Sequence, residues 1–460
     1  MADQATAQEF EILVLGGGSG GYATALRAVQ LGLTVGLVEK AKLGGTCLHN
    51  GCIPTKALLH SAEVADHARD GAKYGVNVEL QSIDMTAVNA YKDGIIAGKF
   101  KGLQGLIKGK GITVIEGEGK LTAPDTITVN GTAYKGKNIV LATGSYSRSL
   151  PGLEIGGRVI TSDEALKMDY VPKSVIVLGG GVIGVEFASV WKSFAVDVTI
   201  IEGLPSLVPN EDASIIKVLE RSFKKRGIKF NTGTFFQGVE QDNDGVKVTL
   251  VDGKTFEADL LLVAVGRGPS TAGLGFEEAG VTVDRGFVIT NERLHTGVGN
   301  VYAVGDIVPG VQLAHRGFQQ GIFVAEEIAG LKPVVVDDIN VPKVTYCDPE
   351  IASVGYSEKA AKEKFGEDRV ESTEYNLAGN GKSAILGTGG IIKFVREKDG
   401  PVVGVHMIGT RVGEQIGEAQ LIVNWEAYPE DVAGLIHAHP TQNEALGEAA
   451  MALAGRPLHG

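Results

Sequence analysis

The stretch "FEILVLGGGSGGYATALRAVQLGLTVGLVEK", residues Phe10–Lys40, decides the fold of this chain. It opens with an apolar run at Ile12–Leu15, passes through a glycine-rich turn and a helix-compatible segment, and returns to an apolar run at Leu33–Val38. The turn Gly16–Gly21 fits the pattern G-x-G-x-x-G, and Glu39 stands 23 residues after its first glycine. A glycine turn that follows a strand and opens a helix, with an acid at this distance, predicts a βαβ unit that binds a dinucleotide.

The same pattern recurs later in the chain. "SVIVLGGGVIGVEFASVWKSFAVDVTIIE", Ser174–Glu202, repeats the glycines at a constant offset of 163 residues and ends on an acid at the same distance. In both copies the glycines let the backbone approach a pyrophosphate, and the helix N-terminus offers N–H groups to it. One such motif is a weak signal in a chain with 65 glycines, but two matched copies favour two dinucleotide-binding domains over ordinary turns. Because Glu202 would repel a 2′-phosphate, the second domain should prefer NAD to NADP.

Each copy has a matching apolar strand downstream, in "NIVLATGS" and "LLLVAVGRGPS". We therefore predict an α/β fold with two Rossmann-like domains, the second inserted in the first, and an α+β domain at the C-terminal end. The predicted extents are 1–148 and 270–338 for the first dinucleotide domain, 149–269 for the second, and 339–460 for the C-terminal domain.

In that last domain the pattern predicts an antiparallel pair around "KDGP", formed by Ile391–Val395 and Val402–Ile408. Helices are predicted at Glu414–Glu426 and Gln442–Leu453, and the charged segment Glu358–Lys364 is expected to be a solvated helix face.

Two cysteines lie close together in "GGTCLHNGCIPTK", Gly44–Lys56. On a regular helix, residues five apart cannot form a disulfide, but the glycines before Cys52 allow the loop to bend. Pro54 suits a first helical turn, which would place Cys52 at a helix N-terminus, where a thiolate is stabilised. A zinc site would need further ligands at zinc spacing, so we predict no metal. A structural disulfide stays open, while the two dinucleotide sites favour a redox couple. Cys347 is expected to be a buried core residue.

Composition excludes several classes of protein. The net charge of −12 disfavours nucleic acid as a partner, and no apolar run approaches the length of a membrane helix. The N-terminal stretch "MADQATAQEF" is polar and lacks the features of a secretory signal, so we expect a cytoplasmic protein without membrane insertion.

Taken together, these motifs resemble the flavin disulfide oxidoreductases of the glutathione reductase type, the class I pyridine nucleotide-disulfide oxidoreductases. The resemblance covers nearly the whole chain and keeps the order of the motifs, which are "GGGSGG", "GGTCLHNGCIPTK", "ATGS", "GGGVIGVEFA", "AVGR", "YAVGDI" and "HAHPTQNEAL". Within the family, the chain looks most like the members that oxidise dihydrolipoamide.

The resemblance implies that the first domain binds FAD and the second NAD. The implied FAD contacts are Gly16, Gly18, Ser19, Gly20, Gly21, Glu39, Lys40, Gly45, Thr46, Lys56, Gly119, Thr143, Gly144, Asp306 and Ala314. The implied NAD contacts are Gly179, Gly181, Val182, Ile183, Gly184, Glu202, Gly266 and Arg267. "LAHRGFQQG" departs from the family in carrying Gln319 and Gln320 where many members have acids.

The resemblance also implies a catalytic set. Cys47 would be the interchange thiol that meets the substrate, and Cys52 the thiol beside the flavin. Lys56 would pair with Glu186 near the reactive edge of the flavin. His439 would be the acid–base residue, oriented by Glu444; a histidine suits this role because its pKa lies near neutrality. His437 is the competing histidine.

The implied reaction is oxidation of protein-bound dihydrolipoamide to lipoamide with reduction of NAD. The implied partners are the lipoyl domains of 2-oxoacid dehydrogenase or glycine cleavage carrier proteins, and a second copy of the chain that donates its histidine in a homodimer. Two alternatives stay open at this point. One is an NADPH-linked reductase for a low-molecular-weight thiol, against which Glu202 argues, and the other is a flavin redox-sensing module without turnover.

Overall fold

The structure is a computed structural model that describes residues 8–459, so most of the polar N-terminal stretch considered above lies outside the described residues. The chain divides into two compact units. The first comprises the described part of Met1–Ala57 together with Thr86–Arg148 and Gly266–Asp338. The second comprises Leu58–Met85, Ser149–Val265 and the described part of Ile339–Gly460.

The strands, in chain order, are β1 Gln8–Leu15, β2 Val35–Glu39, β3 Thr113–Glu116, β4 Gly119–Ala123, β5 Thr126–Val129, β6 Thr132–Leu141, β7 Ser145–Ser147, β8 Val159–Ile160, β9 Ser174–Leu178, β10 Asp197–Glu202, β11 Lys229–Thr232, β12 Phe236–Gln241, β13 Val246–Leu250, β14 Thr255–Ala258, β15 Leu260–Val263, β16 Arg267–Pro269, β17 Val283–Asp284, β18 Phe287–Val288, β19 Val301–Ala303, β20 Lys343–Thr345, β21 Glu350–Gly355, β22 Val370–Asn376, β23 Ile391–Glu397 and β24 Val402–Gly409. The α-helices are α1 Ser19–Gln30, α2 Gly45–His49, α3 Cys52–Asp70, α4 Met85–Gly109, α5 Ser162–Ala165, α6 Val182–Ser193, α7 Ala213–Arg226, α8 Ala314–Ile328, α9 Glu358–Phe365, α10 Gly381–Leu386, α11 Val412–Asn424, α12 Pro429–Ala433 and α13 Glu444–Leu453. Short 3₁₀ turns lie at Gly71–Tyr74, Gly305–Ile307, Asp338–Asn340, Glu367–Arg369 and Leu377–Gly379.

The first unit is built on a sheet in the order β3-β2-β1-β6-β5-β4, with β19 also pairing with β6. Strands β1, β2, β3, β6 and β19 are parallel, whereas β4 and β5 form an antiparallel extension. Residues Ile12, Leu13 and Val14 are fully buried because layers of apolar side chains cover both faces of β1. This central parallel strand delivers the chain into the first glycine turn.

The second unit repeats this design in a five-stranded parallel sheet, in the order β11-β10-β9-β15-β8. Its central strand β9 leads into the second glycine turn, and helix α6 follows, with most of its residues buried. An antiparallel sheet of β12, β13 and β14 follows β11 in the chain and shares a hydrophobic core with the parallel sheet.

The C-terminal part of the second unit contains an antiparallel sheet in the order β20-β21-β24-β23-β22. The predicted hairpin around "KDGP" is confirmed, since Ile391–Glu397 pairs with Val402–Gly409. Both predicted helices are present, but one is displaced to Val412–Asn424 and the other begins only at Glu444. Their apolar faces pack on the sheet in one core, and residues 437–443 are left as a loop.

A buried lysine connects this C-terminal sheet to the N-terminus of helix α7, which follows strand β10 in the chain. Lys393 is 4% exposed, and its Nζ lies 3.0 Å from Asp212 and 2.7 Å from Glu358. Hydrogen bonds from Lys393 and Lys362 lower the pKa of Glu358 to about 2. The expectation of a solvated helix at Glu358–Lys364 is therefore wrong for Glu358, which neutralises a buried ammonium that the sequence pattern does not reveal.

The predicted fold class is confirmed, since two parallel sheets of Rossmann type occur in the expected chain order and an α+β segment follows them. Among residues 8–459, none of the helices is both long enough and apolar enough to cross a membrane.

Candidate active site

The first glycine turn is held in a backbone conformation that side chains would block. Gly16 has φ +107°, and a Cβ there would lie 2.3 Å from the carbonyl oxygen of Ala142. A Cβ on Gly21 would lie 1.8 Å from the oxygen of Gly16. The two glycines therefore let strand, turn and helix α1 pack closely, with Gly18 as the N-cap residue of the helix.

The second turn reproduces this geometry. Gly179 has φ +110°, and its Cβ would lie 2.3 Å from the oxygen of Ala264, while a Cβ on Gly184 would lie 1.9 Å from the oxygen of Gly179. Gly181 is the N-cap residue of helix α6, and its missing Cβ would point into open space.

The two acids after the turns also match. Glu39 accepts hydrogen bonds from the N–H groups of Gly17 and Ala41, both at 2.7 Å. Glu202 accepts them from Gly180 at 2.6 Å and Leu204 at 2.8 Å. In both sites the carboxylate is fixed at the carboxyl end of the second strand, where it can receive ribose hydroxyls.

These features fit dinucleotides at both sites. The N-cap residue is glycine in each, so it places no side chain over the first N–H groups of the helix, which a pyrophosphate would bind. The turns differ at two positions, where Ser19 corresponds to Val182 and Gly20 to Ile183. A Cβ on Gly20 would lie 2.8 Å from Val304 Cγ2 and 3.3 Å from the oxygen of Gly317 in helix α8, so the glycine at position 20 allows the close crossing of α1 and α8.

The cysteine segment docks on the first turn. The N–H of Gly44 donates to the oxygen of Gly17 at 2.8 Å, and a Cβ on Gly45 would lie 2.8 Å from the Cα of Gly18. Helix α2 then carries Cys47 and ends at His49, whose Nε2 lies 2.9 Å from the oxygen of Leu43. Glycine packing therefore places the cysteines directly beside the predicted pyrophosphate site.

A break between two helices brings the cysteines together. Helix α2 ends at His49, and α3 begins at Cys52 itself, as predicted from Pro54. Cys47 and Cys52 carry half-buried free thiols, and their side chains are hydrogen-bonded to each other. The hydrogen bond to Cys52 and burial raise the pKa of the Cys47 thiol well above its ordinary value. At neutral pH Cys47 therefore keeps its proton and needs a base to become a nucleophile.

Three other groups of the first unit interact electrostatically with Cys47. The charge of Lys56 lowers the pKa of Cys47, whereas Asp306 raises it. Tyr22 was not found by sequence reasoning; burial and the nearby Cys47 raise the pKa of its hydroxyl to about 12. Tyr22 follows the glycine turn directly, and that position was the only signal that could have indicated it.

Asp306 is held by a network that sequence reasoning also missed. Its carboxylate accepts a hydrogen bond from the hydroxyl of Ser145, which in turn accepts one from Arg267 Nε at 2.8 Å. The N–H of the preceding Gly305 donates to Gln320 Oε1 at 2.7 Å. Gln320 is 2% exposed, so the amide that departs from the family pattern still supplies the acceptor that fixes this turn.

Arg267 belongs to the first unit, although the resemblance implied an NAD contact. Its guanidinium also donates to the oxygen of Ser145 at 2.7 Å and to Ser147 Oγ at 3.3 Å. The guanidinium is thus bound to strand β7, and an NAD contact by this residue stays a prediction. Gly266, which precedes it, has φ +104°.

The remaining predicted FAD residues lie in the first unit as well. Thr143 Oγ1 donates to the oxygen of Ser270 at 2.5 Å, and Lys40 is exposed with its Nζ 3.6 Å from Glu118. A Cβ on Gly119 would lie 2.6 Å from Leu15, which explains the glycine by core packing alone. Ser19 and Ala314 are the first residues of helices α1 and α8, and Thr46 lies in α2. Gly144 has a positive φ of +74°.

Glu186 lies in the second unit, on the buried face of helix α6. Its Oε1 accepts a hydrogen bond from the N–H of Tyr346 at 2.9 Å. Lys56 is in the first unit, so its pairing with Glu186 stays a prediction. Cys347 is 1% exposed and its Sγ lies 3.2 Å from the oxygen of Pro349, as expected for a core residue.

The C-terminal loop presents a histidine–carboxylate pair. His439 Nδ1 lies 2.7 Å from Glu444 Oε1, and Glu444 Oε2 accepts the N–H of Thr441 at 2.7 Å. Burial opposes ionisation of Glu444, but the hydrogen bonds from Thr441 and His439 outweigh it and lower the pKa of the carboxyl. Glu444 is therefore an anion at neutral pH that holds Nδ1–H and leaves Nε2 for proton transfer.

His437 has different surroundings. Its Nε2 lies 2.7 Å from Glu418 Oε1, and its side chain is 13% exposed, compared with 76% for His439. In the described residues 8–459, His, Cys, Asp and Glu do not form a group that could hold a metal ion.

Comparison with known proteins agrees with this geometry. The family model of pyridine nucleotide-disulphide oxidoreductases matches residues 10–321, and the dimerisation-domain model of the same family matches residues 341–450. The chain belongs to the pyridine nucleotide-disulphide oxidoreductases, and its cofactors are FAD and NAD.

The relatives narrow the comparison within that family. The mitochondrial dihydrolipoyl dehydrogenase of Pisum sativum is 41% identical, over 98% of this chain and 93% of the relative. A dihydrolipoyl dehydrogenase of Bacillus subtilis is 40% identical, over 98% of this chain and all of the relative. Among solved structures, LpdA from Mycobacterium tuberculosis superposes with a TM-score of 0.89 at 25% identity, covering 97% of this chain and 100% of that one.

Proposed function

We propose that this chain acts as an NAD-dependent dihydrolipoyl dehydrogenase. The observation that carries the proposal is the hydrogen-bonded pair Cys47 and Cys52, placed against the first glycine turn in a chain with a second turn that ends in Glu202. A dithiol beside one dinucleotide site, in a protein with two such sites, is suited to pass electrons from a thiol substrate to a nicotinamide. The names of the relatives support the same reaction.

In this proposal the first unit binds FAD through the residues given above for that site, and Gly179–Gly184 with Glu202 bind NAD. The domain extents in this proposal are those predicted from the sequence. The residues after Val341 include the dimerisation domain of the family, and we propose a homodimer in which the partner subunit's His439 serves the Cys47–Cys52 pair.

The chemistry begins with the oxidised, disulfide form of the pair. His439 takes the proton of one thiol of dihydrolipoamide, and the resulting thiolate attacks the sulfur of Cys47. The Cys47–Cys52 bond breaks, a mixed disulfide forms on Cys47, and Cys52 leaves as a thiolate.

The second thiol of the substrate then attacks the substrate sulfur that is bonded to Cys47 and displaces Cys47. As His439 gives the first proton to Cys47, it takes up the proton of this second thiol and keeps it. Lipoamide is released with its disulfide closed, and Cys47 takes the proton that its raised pKa favours, delivered by His439. Glu444 holds the imidazole in one orientation through both transfers. FAD, when bound, supplies the acceptor for the two electrons of the dithiol and passes them on to NAD.

The proposed partners are lipoyl domains of 2-oxoacid dehydrogenase or glycine cleavage carrier proteins, and the proposed compartment is the cytoplasm. The test is NADH formation from dihydrolipoamide by the purified protein loaded with FAD, with reduced glutathione as the control donor. We expect turnover with dihydrolipoamide alone. Turnover with glutathione and NADP instead would support the low-molecular-weight thiol reductase, and the absence of turnover with any thiol would favour the redox-sensing module.

Nicotinamide preference provides a separate prediction. We expect kcat/KM for NAD to exceed that for NADP by about a hundredfold, because the anionic Glu202 would lie against the 2′-phosphate. Glu202→Gln should reduce this ratio by about tenfold or more, since it removes the repulsion but keeps an oxygen for one N–H group. Steady-state kinetics with both nicotinamides measures the effect.

Glu39→Gln is the matched control for that experiment. Glu39 makes the same two backbone contacts in the first site, so its replacement disturbs a turn of equal geometry. In enzyme loaded with FAD it should leave the NAD to NADP ratio unchanged. An equal change of the NAD to NADP ratio in both variants would show that Glu202 does not discriminate between the two nicotinamides.

A further inference from the structure

Asn380 is a buried amide at the N-terminus of helix α10, and both of its polar atoms are used. The residue is 3% exposed. Its Oδ1 accepts the N–H of Ser383 at 2.9 Å and so caps the helix. Its Nδ2 donates to the carbonyl oxygen of Thr441 at 2.9 Å, which ties the helix to the loop that carries the histidine. The capping bond is a local feature, whereas the second bond crosses to a different segment.

Thr441 is the residue through which Asn380 reaches the histidine. The N–H of Thr441 donates to Glu444 Oε2 at 2.7 Å, and Glu444 Oε1 lies 2.7 Å from His439 Nδ1. The hydroxyl of Thr441 donates to the oxygen of Ala438 at 2.7 Å. One residue is therefore held on its carbonyl side by Asn380 and on its amide side by the carboxylate that orients the imidazole.

This chain of hydrogen bonds matters because packing within its own subunit fixes His439 only weakly. The imidazole is 76% exposed, and a Cβ on Gly381 would come no closer than 3.9 Å to its Cε1. We propose that Asn380 is a positioning residue for the reaction, which sets the Thr441 peptide so that Glu444 holds His439 at its working angle. The inference rests on the proposed function, in which His439 and Glu444 serve thiol–disulfide exchange.

Other anchors of the loop do not duplicate this contact. Glu418 binds His437 Nε2 at 2.7 Å and Asn443 Nδ2 at 2.6 Å, and so holds the loop on either side of Thr441. Gln442 Nε2 donates to the oxygen of Thr410 at 2.7 Å. These bonds keep the loop in place when Asn380 changes, so the predicted effect is a misorientation of the histidine within a folded loop.

Asn380→Asp tests the proposal. The aspartate keeps the helix cap through one oxygen but turns the other toward the Thr441 carbonyl, where a donor is needed. We expect kcat for dihydrolipoamide oxidation to fall about ten- to a hundredfold, since small misplacements of a catalytic group have effects of this size. NADH oxidation by ferricyanide, which needs no thiol–disulfide exchange, should be unchanged. An equal loss in both assays would overturn the proposal.

The matched control is Asn376→Asp. Asn376 caps the turn Leu377–Gly379 by accepting the N–H of Ala378 at 2.9 Å, and its side chain is exposed. It should leave both activities unchanged. If Asn380→Asp does not yield folded protein, Asn380→Ser serves instead, because serine caps helices well but is too short to replace the amide donor.

A double-variant cycle with Glu444→Gln gives the sharpest readout. If Asn380 acts through Glu444, the effects of the two substitutions on kcat are not additive. Asn380→Asp should then lower kcat for dihydrolipoamide oxidation by less than about twofold in the Glu444→Gln background. The full loss in that background would overturn the proposed route. His439→Gln is measured in parallel: if it retains turnover, the proposed function of the histidine fails, whereas a dead His439→Gln with an active Asn380→Asp contradicts only the inference on Asn380.

Discussion

Replacing either Cys47 or Cys52 by serine is expected to lower dihydrolipoamide oxidation by about 10³-fold or more, because each removes a sulfur that must form or break a bond. The two thiols are hydrogen-bonded to each other, so both sulfurs lie close enough to form the disulfide. A hydroxyl cannot take over, since serine forms no disulfide. This is one of the two largest effects that the structure predicts.

The two variants should differ in how they react with alkylating reagents after reduction. Cys52→Ser removes the ionisable neighbour that raises the pKa of Cys47 most, because a serine hydroxyl does not ionise and can donate to the Cys47 thiolate. Cys47 should therefore become more reactive at neutral pH. In wild-type protein the protonated Cys47 should react slowly in the absence of a base. The pH dependence of iodoacetamide labelling measures this: the curve for Cys47 should move to lower pH in Cys52→Ser. An unchanged curve would contradict the influence of Cys52 on the pKa of Cys47.

Cys347→Ser is the matched control for both cysteines. Cys347 is buried in the second unit with its Sγ near the oxygen of Pro349, and a serine hydroxyl can donate to the same oxygen. Dihydrolipoamide turnover should therefore stay within about twofold of wild type. A loss as large as that of Cys47→Ser would mean that the assignment of the redox pair is wrong.

The glycine turns were predictable because their chemistry is local. A positive φ, a strand before and a helix after follow from the order of residues, and the structure reproduces the expected geometry in both copies. The break between helices α2 and α3 was also readable from glycines and Pro54 around Cys47 and Cys52. At these positions the local sequence was sufficient to predict the backbone conformation and the close contacts.

Contacts between distant segments could not be read in this way. Ser145, which donates to Asp306, is separated from it by 161 residues in the chain and from Arg267 by 122, and neither spacing forms a motif. The sequence predicted a solvated helix at Glu358 because its partner, Lys393, lies in strand β23, which is distant in the chain. Asn380 lay in a segment without a chemical pattern, and only the fold shows that it bonds to the loop of His439. Tertiary hydrogen bonds, rather than local propensity, decide these parts of the site.

His439→Gln is the second prediction with a large effect. Glutamine can occupy the loop but cannot take and return a proton, so kcat for dihydrolipoamide oxidation should fall about 10²- to 10⁴-fold. Because Cys47 has a raised pKa, its leaving and reprotonation depend on this transfer. NADH oxidation by ferricyanide should persist, since it involves no thiol. Loss of both activities would indicate a structural role for His439 instead.

Glu444→Gln should have a smaller effect of the same kind. The lowered pKa of Glu444 means that the carboxylate is charged above that value and loses its charge only as the pH falls through it. Wild-type turnover should therefore not depend on Glu444 ionisation between about pH 6 and 9, whereas the amide variant lacks the charge throughout that range. We expect kcat to fall about ten- to a hundredfold at every pH in that window. A loss confined to one end of the window would contradict a permanently charged Glu444.

His437→Gln separates the two histidines of the loop. His437 is bound to Glu418 and nearly buried, so its replacement removes a loop contact but leaves the exposed imidazole and its carboxylate in place. Turnover should fall less than in His439→Gln by at least about tenfold. The comparison is decisive because both variants alter the same loop by the same change of side chain. Only a proton carrier can explain a large difference between them, and the reverse order would assign that role to His437.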